Sequence, residues 1–238
     1  MNVTLLANTQ LTPKAIKIAD LSGQCLGING WDVTDGQVVA LAAIRQCYSH
    51  KTALEVLETE SNKYFGEKGK EGERLFKQIV SSGHTSTLEH ITFTFAVENV
   101  SRALLAQLTR HRHISFSVQS QRYVKLSSDS RSGGFTYVIP EKIFDDDINL
   151  SVFESAMREI QEYYNYLIRN GVPQEDARAV LPNATATNLV MTLNLRTALE
   201  FYNKRKPGNG AQNEITQLAE AIQNEITAVE PWTVKFFE

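Results

Sequence analysis

A chain of 238 residues, 42% hydrophobic and with a formal net charge of −3, can bury a sizeable core and is read as one domain over residues 1–238. Its mild acidity argues against a general nucleic-acid binder, which needs a basic field to displace counterions. Two cysteines, Cys25 and Cys47, are too few for a disulfide framework, and no apolar run of signal-peptide or membrane length opens the chain, so a cytoplasmic protein without a membrane partner is expected.

In chain order, residues 3–7 read as a first strand. Residues 36–48 read as a helix with Asp35 as its cap and Val38, Val39, Leu41, Ala42 and Ile44 available for burial. Residues 52–61 and 71–82 are predicted helices, the second closed by Gly83, which delivers His84 to a turn. Residues 91–97 alternate apolar with small or polar side chains as a half-buried strand does, and 101–109, with Ala103, Leu104, Leu105 and Leu108, read as a short helix. Residues 127–134 have the composition of a flexible loop able to cover or uncover a site, and 135–139 read as a strand ended by Pro140. Ser151-Val152-Phe153-Glu154 has the form of a capping box, opening a helix whose apolar stripe runs through Val152, Phe153, Ala156, Met157, Ile160, Tyr164, Leu167 and Ile168 to Gly171. Residues 213–229 repeat Ile215, Leu218, Ile222, Ile226 and Val229 on one helix face. Without an internal repeat, these elements make one mixed α+β domain.

Between Glu98 and Asp129 there is no acidic residue, whereas Arg102, Arg110, Arg112, Arg122 and Lys125 are cationic and His111 and His113 can become so. Such a segment calls for an anion. The planar arginine fork matches phosphate geometry, and Ser, Gln and backbone N–H groups complete the shell. A run of charges is often only a solvated face, but this one follows a strand and a helix and so leaves packed structure at a defined place. Local positive charge on a mildly acidic chain fits a small anionic ligand. A metal-dependent hydrolase built on His84, His90, His111 and His113 is the weaker alternative, because the spacing is not a metal pattern and the arginines would repel a cation. An RNA- or nucleotide-binding protein without redox chemistry, stacking bases on Phe116 and Tyr123, runs against the net charge.

Arg110-His111-Arg112, seven intervening residues, Ser120 and then Arg122 resemble the signature of the flavin-dependent thymidylate synthases. The likeness continues in order outside the motif: Gly83-His84-Thr85-Ser86 with Glu89-His90, Gln107, Ala177-Arg178-Ala179-Val180-Leu181-Pro182, Asn194-Leu195-Arg196, Arg205, and Ala211-Gln212 with Glu214-Ile215. The resemblance implies a thymidylate synthase-complementing-like fold, a central, mostly antiparallel sheet flanked by helices. It implies reductive methylation of dUMP to dTMP, with methylenetetrahydrofolate as carbon donor and FAD and NADPH as the source of hydride. It places dUMP against Gln107, Arg110, Ser120, Gln121, Arg122, Arg178 and Arg205, with Arg205 catalytic through ionisation of uracil N3. FAD falls to His84, Ser86, Arg110, His111, Arg112, His113, Asn194 and Arg196, so that the Arg-His-Arg triplet would lie between flavin and nucleotide. No metal is implied, and the assembly would be a homotetramer with shared active sites. Neither Cys25 nor Cys47 lies in an activating motif, so no thiolate is expected to attack the uracil ring. This chain departs from the pattern at Val118, where a carboxylate or amide is common and Gln119 stands next, at Glu200, often Asn, at Cys47, often Ser, and over 206–210, where His is common just before Ala-Gln.

Overall fold

The computed structural model describes residues 1–19, 33–66 and 70–238; Cys25, of which an unreactive thiol was expected, lies outside them. The described chain runs β1 (Asn2–Asn8), α1 (Pro13–Ile18), α2 (Asp35–Tyr48), α3 (Ala53–Phe65), α4 (Lys70–Ser81), a 3-10 turn (Thr85–His90), β2 (Thr92–Ser101), α5 (Arg102–Leu108) and β3 (Ser115–Val118). It continues through α6 (Glu141–Phe144), α7 (Asp147–Arg169), α8 (Gln174–Ala177), a 3-10 turn (Arg178–Val180), β4 (Ala186–Asn194), α9 (Leu195–Arg205), α10 (Asn213–Val229) and a last 3-10 turn (Pro231–Phe236). The four strands form an antiparallel sheet in the order β1-β2-β4-β3, the α+β architecture expected. In β2, Phe93, Phe95 and Val97 are fully buried while the residues between them are not, and Leu189, Met191 and Leu193 do the same in β4.

The chain gathers into two compact units. One comprises Met1–Thr4, Phe95–Met191 and Pro207–Leu218, and the other Leu5–Thr94, Thr192–Lys206 and Ala219–Glu238. In the first unit, Leu104 and Leu108 of α5, Met157 and Tyr164 of α7 and Ile215 and Leu218 of α10 are buried. In the second, Val38, Leu41 and Ile44 of α2 are buried, as are Phe76 of α4, Leu88 of the first 3-10 turn and Phe201 of α9.

Local chemistry moves several expected boundaries. The cap of α2 is Thr34, whose side chain accepts the Gln37 N–H while Gln37 reaches back to the Thr34 N–H; Asp35 instead takes the Leu11 N–H at 2.8 Å. Val39 and Ala42 are only partly buried. Gly83 follows α4 with φ +78°, the left-handed conformation a helix stop requires. Residues 135–139 form no strand. Phe135 N–H donates to Gln161 Oε1 at 2.8 Å, and Tyr137 makes an isolated bridge to Thr185, so two backbone bonds to residues 184 and 186 replace a ladder. Ser151 is not a cap either, because α7 has already begun: Asp146 accepts the Asn149 N–H at 2.8 Å. Val152 is 66% exposed and Ala156 is exposed as well, so the buried stripe is narrower than expected. The loop 127–134 is irregular, but Ser127 is buried and bonded to Asp129, Ser130 and Ser132 donate to the Lys125 carbonyl, and Ser128 N–H donates to Asn165 of α7. These hydrogen bonds tie the irregular segment to Lys125 and to α7.

Candidate active site

Helix α5 sets out the cationic segment. Ser101 caps it, with Oγ accepting the Leu104 N–H at 2.9 Å and donating to Glu214 Oε2 at 2.5 Å, while Ser101 N–H donates to Glu214 Oε1 at 2.7 Å. The helix ends at Leu108, and the exposed residues Arg110, Arg112 and His113 follow, with His111 partly buried. Gln107, on the last turn, donates to Gln212 Oε1. After β3, residues 120–124 fold into a tight turn in which Ser120 Oγ accepts the Arg122 N–H at 3.2 Å and the Ser120 carbonyl accepts the Val124 N–H at 2.9 Å. Gln121, partly buried, occupies the same turn.

Around α8, structure does what the motif alone does not show. Arg122 Nε donates to Glu175 Oε2 at 3.0 Å, Gln174 Nε2 donates to the Arg122 carbonyl at 3.0 Å, and Arg178 Nε donates to the Glu175 carbonyl at 3.0 Å. Two arginines distant in sequence therefore meet on one residue. The expectation that this cationic segment has no counter-charge is corrected at Arg122, whose partner comes from a helix far down the chain. The Arg122 guanidinium also lies 5.8 Å from the Tyr123 ring centroid, so Tyr123, 80% exposed, offers its ring to a cation already present.

The second unit holds His84, Ser86, Asn194, Arg196 and Arg205. His84, exposed, opens the first 3-10 turn; its Nδ1 is hydrogen-bonded to the Tyr48 hydroxyl and its ring stacks on Tyr48 with centroids 6.1 Å apart and planes 16° from parallel. Ser86, on the same turn, is exposed. Asn194 caps α9, its Oδ1 accepting the Thr197 N–H at 2.9 Å. Arg196 Nη1 donates to Glu89 at 2.7 Å and its Nε to Glu200 at 3.0 Å, and the two carboxylates, Glu200 foremost, raise its pKa. Glu200, the departure noted in the sequence, is thereby explained in part: one turn along α9, it fixes Arg196. Arg205 lies in the last turn of α9, partly buried.

The residues missed by sequence reading are mostly partners: Glu175 for Arg122, Tyr48 for His84, and Arg102, a bystander in the cationic run that proves partly buried. No local signal marks Glu175. Tyr48 closes an amphipathic helix yet is 54% exposed, the kind of placement that sets a side chain apart from the core. Cys47, its neighbour, is a free, exposed thiol. Among the described residues no group of three or more His, Cys, Asp or Glu side chains is placed to hold a metal ion, and no helix is long and apolar enough to cross a membrane.

The family model described as thymidylate synthase complementing protein matches residues 31–232. The chain is 40% identical over 193 residues to the flavin-dependent thymidylate synthase of Geobacter sulfurreducens, covering 81% of this chain and 78% of that one. It is 37% identical over 220 residues to the flavin-dependent thymidylate synthase of Clostridium tetani, covering 84% of this chain and 81% of that one. Among solved structures it is similar to the UMP/dUMP methylase PolB from Streptomyces cacaoi bound with 5-Br dUMP, with a TM-score of 0.71 over 99% of this chain and 93% of that one. At 21% identity, that likeness shows a shared fold.

Proposed function

Since the chain belongs to the family of flavin-dependent thymidylate synthases, we propose that it carries out the reductive methylation of dUMP to dTMP with FAD as its cofactor. Methylenetetrahydrofolate would supply the carbon and leave as tetrahydrofolate, and FAD, once bound and reduced by NADPH, would supply the hydride that takes that carbon to the methyl level. The observation that carries the reading is the meeting of Arg122, from the signature motif, and Arg178, from a block far downstream, on Glu175.

Gln107, Arg110, Ser120, Gln121, Arg122 and Arg178 hold the nucleotide. The turn at 120–122 offers a hydroxyl and backbone N–H groups beside a guanidinium, the donor set a phosphate dianion takes. Arg205 acts on the uracil. A guanidinium beside N3 stabilises negative charge developing on the ring, so electron density reaches C5 without a covalent thiolate adduct. As C5 bonds to the incoming carbon, its hydrogen leaves as a proton.

The donors assigned to the flavin fit it. Arg110, Arg112 and His113 are exposed after α5, a donor set suited to a pyrophosphate and to the anionic charge a reduced isoalloxazine carries. His84, held by Tyr48, Ser86, Asn194 and His111 complete the set. Arg196 enters it already fixed between Glu89 and Glu200, as an oriented donor with its charge compensated. The enzyme works in the cytoplasm as a homotetramer, each site completed by residues of more than one subunit.

Replacing Arg205 by Ala tests the reading. The variant should retain bound flavin, seen in its visible absorbance, and form no dTMP from dUMP; normal turnover would remove the role given to Arg205.

A further inference from the structure

Helix α7 is apolar on two faces. Met157 and Tyr164 are buried, and at about 100° per residue the side chains half a turn away from them point outward. There Ile148, Val152, Ala156, Glu159, Tyr163 and Tyr166 recur at steps of four, four, three, four and three residues, the period of one straight helical stripe. All six are exposed, Ile148 by 77%, Val152 by 66%, Tyr163 by 59% and Tyr166 by 61%. The stripe runs about 27 Å at 1.5 Å per residue, and with the width of a helix it covers on the order of 300 Å², the size at which an apolar patch on a soluble protein marks a contact.

The stripe is complementary to a reversed copy of itself. Its ends carry opposite charge, with Asp147 in the first turn of α7 and Arg169 in the last. Arg169 reaches Glu162 at 3.9 Å, a long contact between side chains 65% and 70% exposed. Two α7 helices related by a two-fold axis run antiparallel, which sets Asp147 beside the partner's Arg169 and the positive end of each helix dipole beside the negative end of the other. In that register Val152 meets the partner's Tyr163, Ile148 meets the partner's Tyr166, and the small Ala156 leaves room for the partner's Glu159. Short aliphatic groups thus fit between tyrosine rings, a residue type favoured where protein surfaces meet. An anionic lipid surface fits worse, because Glu159 lies in the stripe and Glu162 beside it. We propose that α7 is a self-association face, pairing antiparallel with α7 of a second copy of this chain through Ile148, Val152, Tyr163 and Tyr166. The contact goes beyond the catalytic reading and does not rest on it.

Light scattering at one protein concentration compares the wild type with two double variants, in which Val152→Glu or Val152→Lys is combined with Tyr163→Glu. Both positions are exposed, so neither change enters the buried face of α7, and far-UV circular dichroism should match the wild type. The wild type should scatter as an assembly of an even number of chains. Val152→Glu with Tyr163→Glu sets like charges opposite each other twice across the two-fold axis and should halve that mass. Val152→Lys with Tyr163→Glu sets unlike charges in the same places and should keep the wild-type mass. A wild type that scatters as a single chain overturns the pairing. Equal masses for the two double variants overturn it too, whether both match the wild type or both fall. Neither readout involves dUMP or flavin, so the pairing and the catalytic reading fail separately.

Discussion

Glu230 is 1% exposed, and its Oε2 accepts from Trp232 Nε1 at 2.5 Å and from the Thr34 hydroxyl. Burial raises its pKa above the ordinary 4.5 by more than these hydrogen bonds lower it. The folded protein thus holds this proton more tightly than the unfolded chain. The resulting stabilisation is present in full below 4.5 and is lost as pH rises through the raised folded value. Thermal melts at pH values rising from 4.5 should show the wild type losing stability and Glu230→Gln losing less; parallel curves would assign the pH dependence to other groups. At the same scale, the motif residues were readable by type and spacing, whereas their partners were not. Arg122 looked uncompensated because Glu175 lies on another helix, and Arg196 looked available because neither Glu89 nor Glu200 announces itself as its counter-ion.

Among the elements, α5 matters most for the site because it carries Gln107 and leads directly into Arg110. Its cap is Ser101, which also occupies Glu214. Ser101→Ala removes one cap and one charge-assisted bond, and should lower stability by about 1–3 kcal/mol, with a matching fall in the denaturant midpoint. It should weaken dUMP binding as well, since loosening of the helix displaces Gln107 and the Arg110 that follows it; an unchanged midpoint would show the cap to be redundant. Period and cap chemistry made α3, α4, α5 and α10 legible, and alternation did the same for β2. β4 carried a similar signal in Leu189, Met191 and Leu193. Residues 135–139 misled because β-rich composition describes what a strand can be, while a ladder needs a partner: the Phe135 N–H went to Gln161 instead. Asp146 likewise took the start of α7 from Ser151.

For the whole molecule, family membership sets the expectation that the purified protein is yellow and bleaches with NADPH, and that light scattering finds a tetramer. An active monomer would remove the shared-site assembly while leaving the chemistry in place. The order of residues by itself determined the class of fold, most of its helices, the cationic motif and, through the ordered blocks downstream, the family. These depend on short-range periodicity and on residue type, which are written locally. Only the tertiary structure decided which charges are answered: Glu175 for Arg122, and Glu89 and Glu200 for Arg196. Coulomb energy and desolvation depend on separation in space and on exclusion of water, and folding sets both by packing segments far apart in the chain.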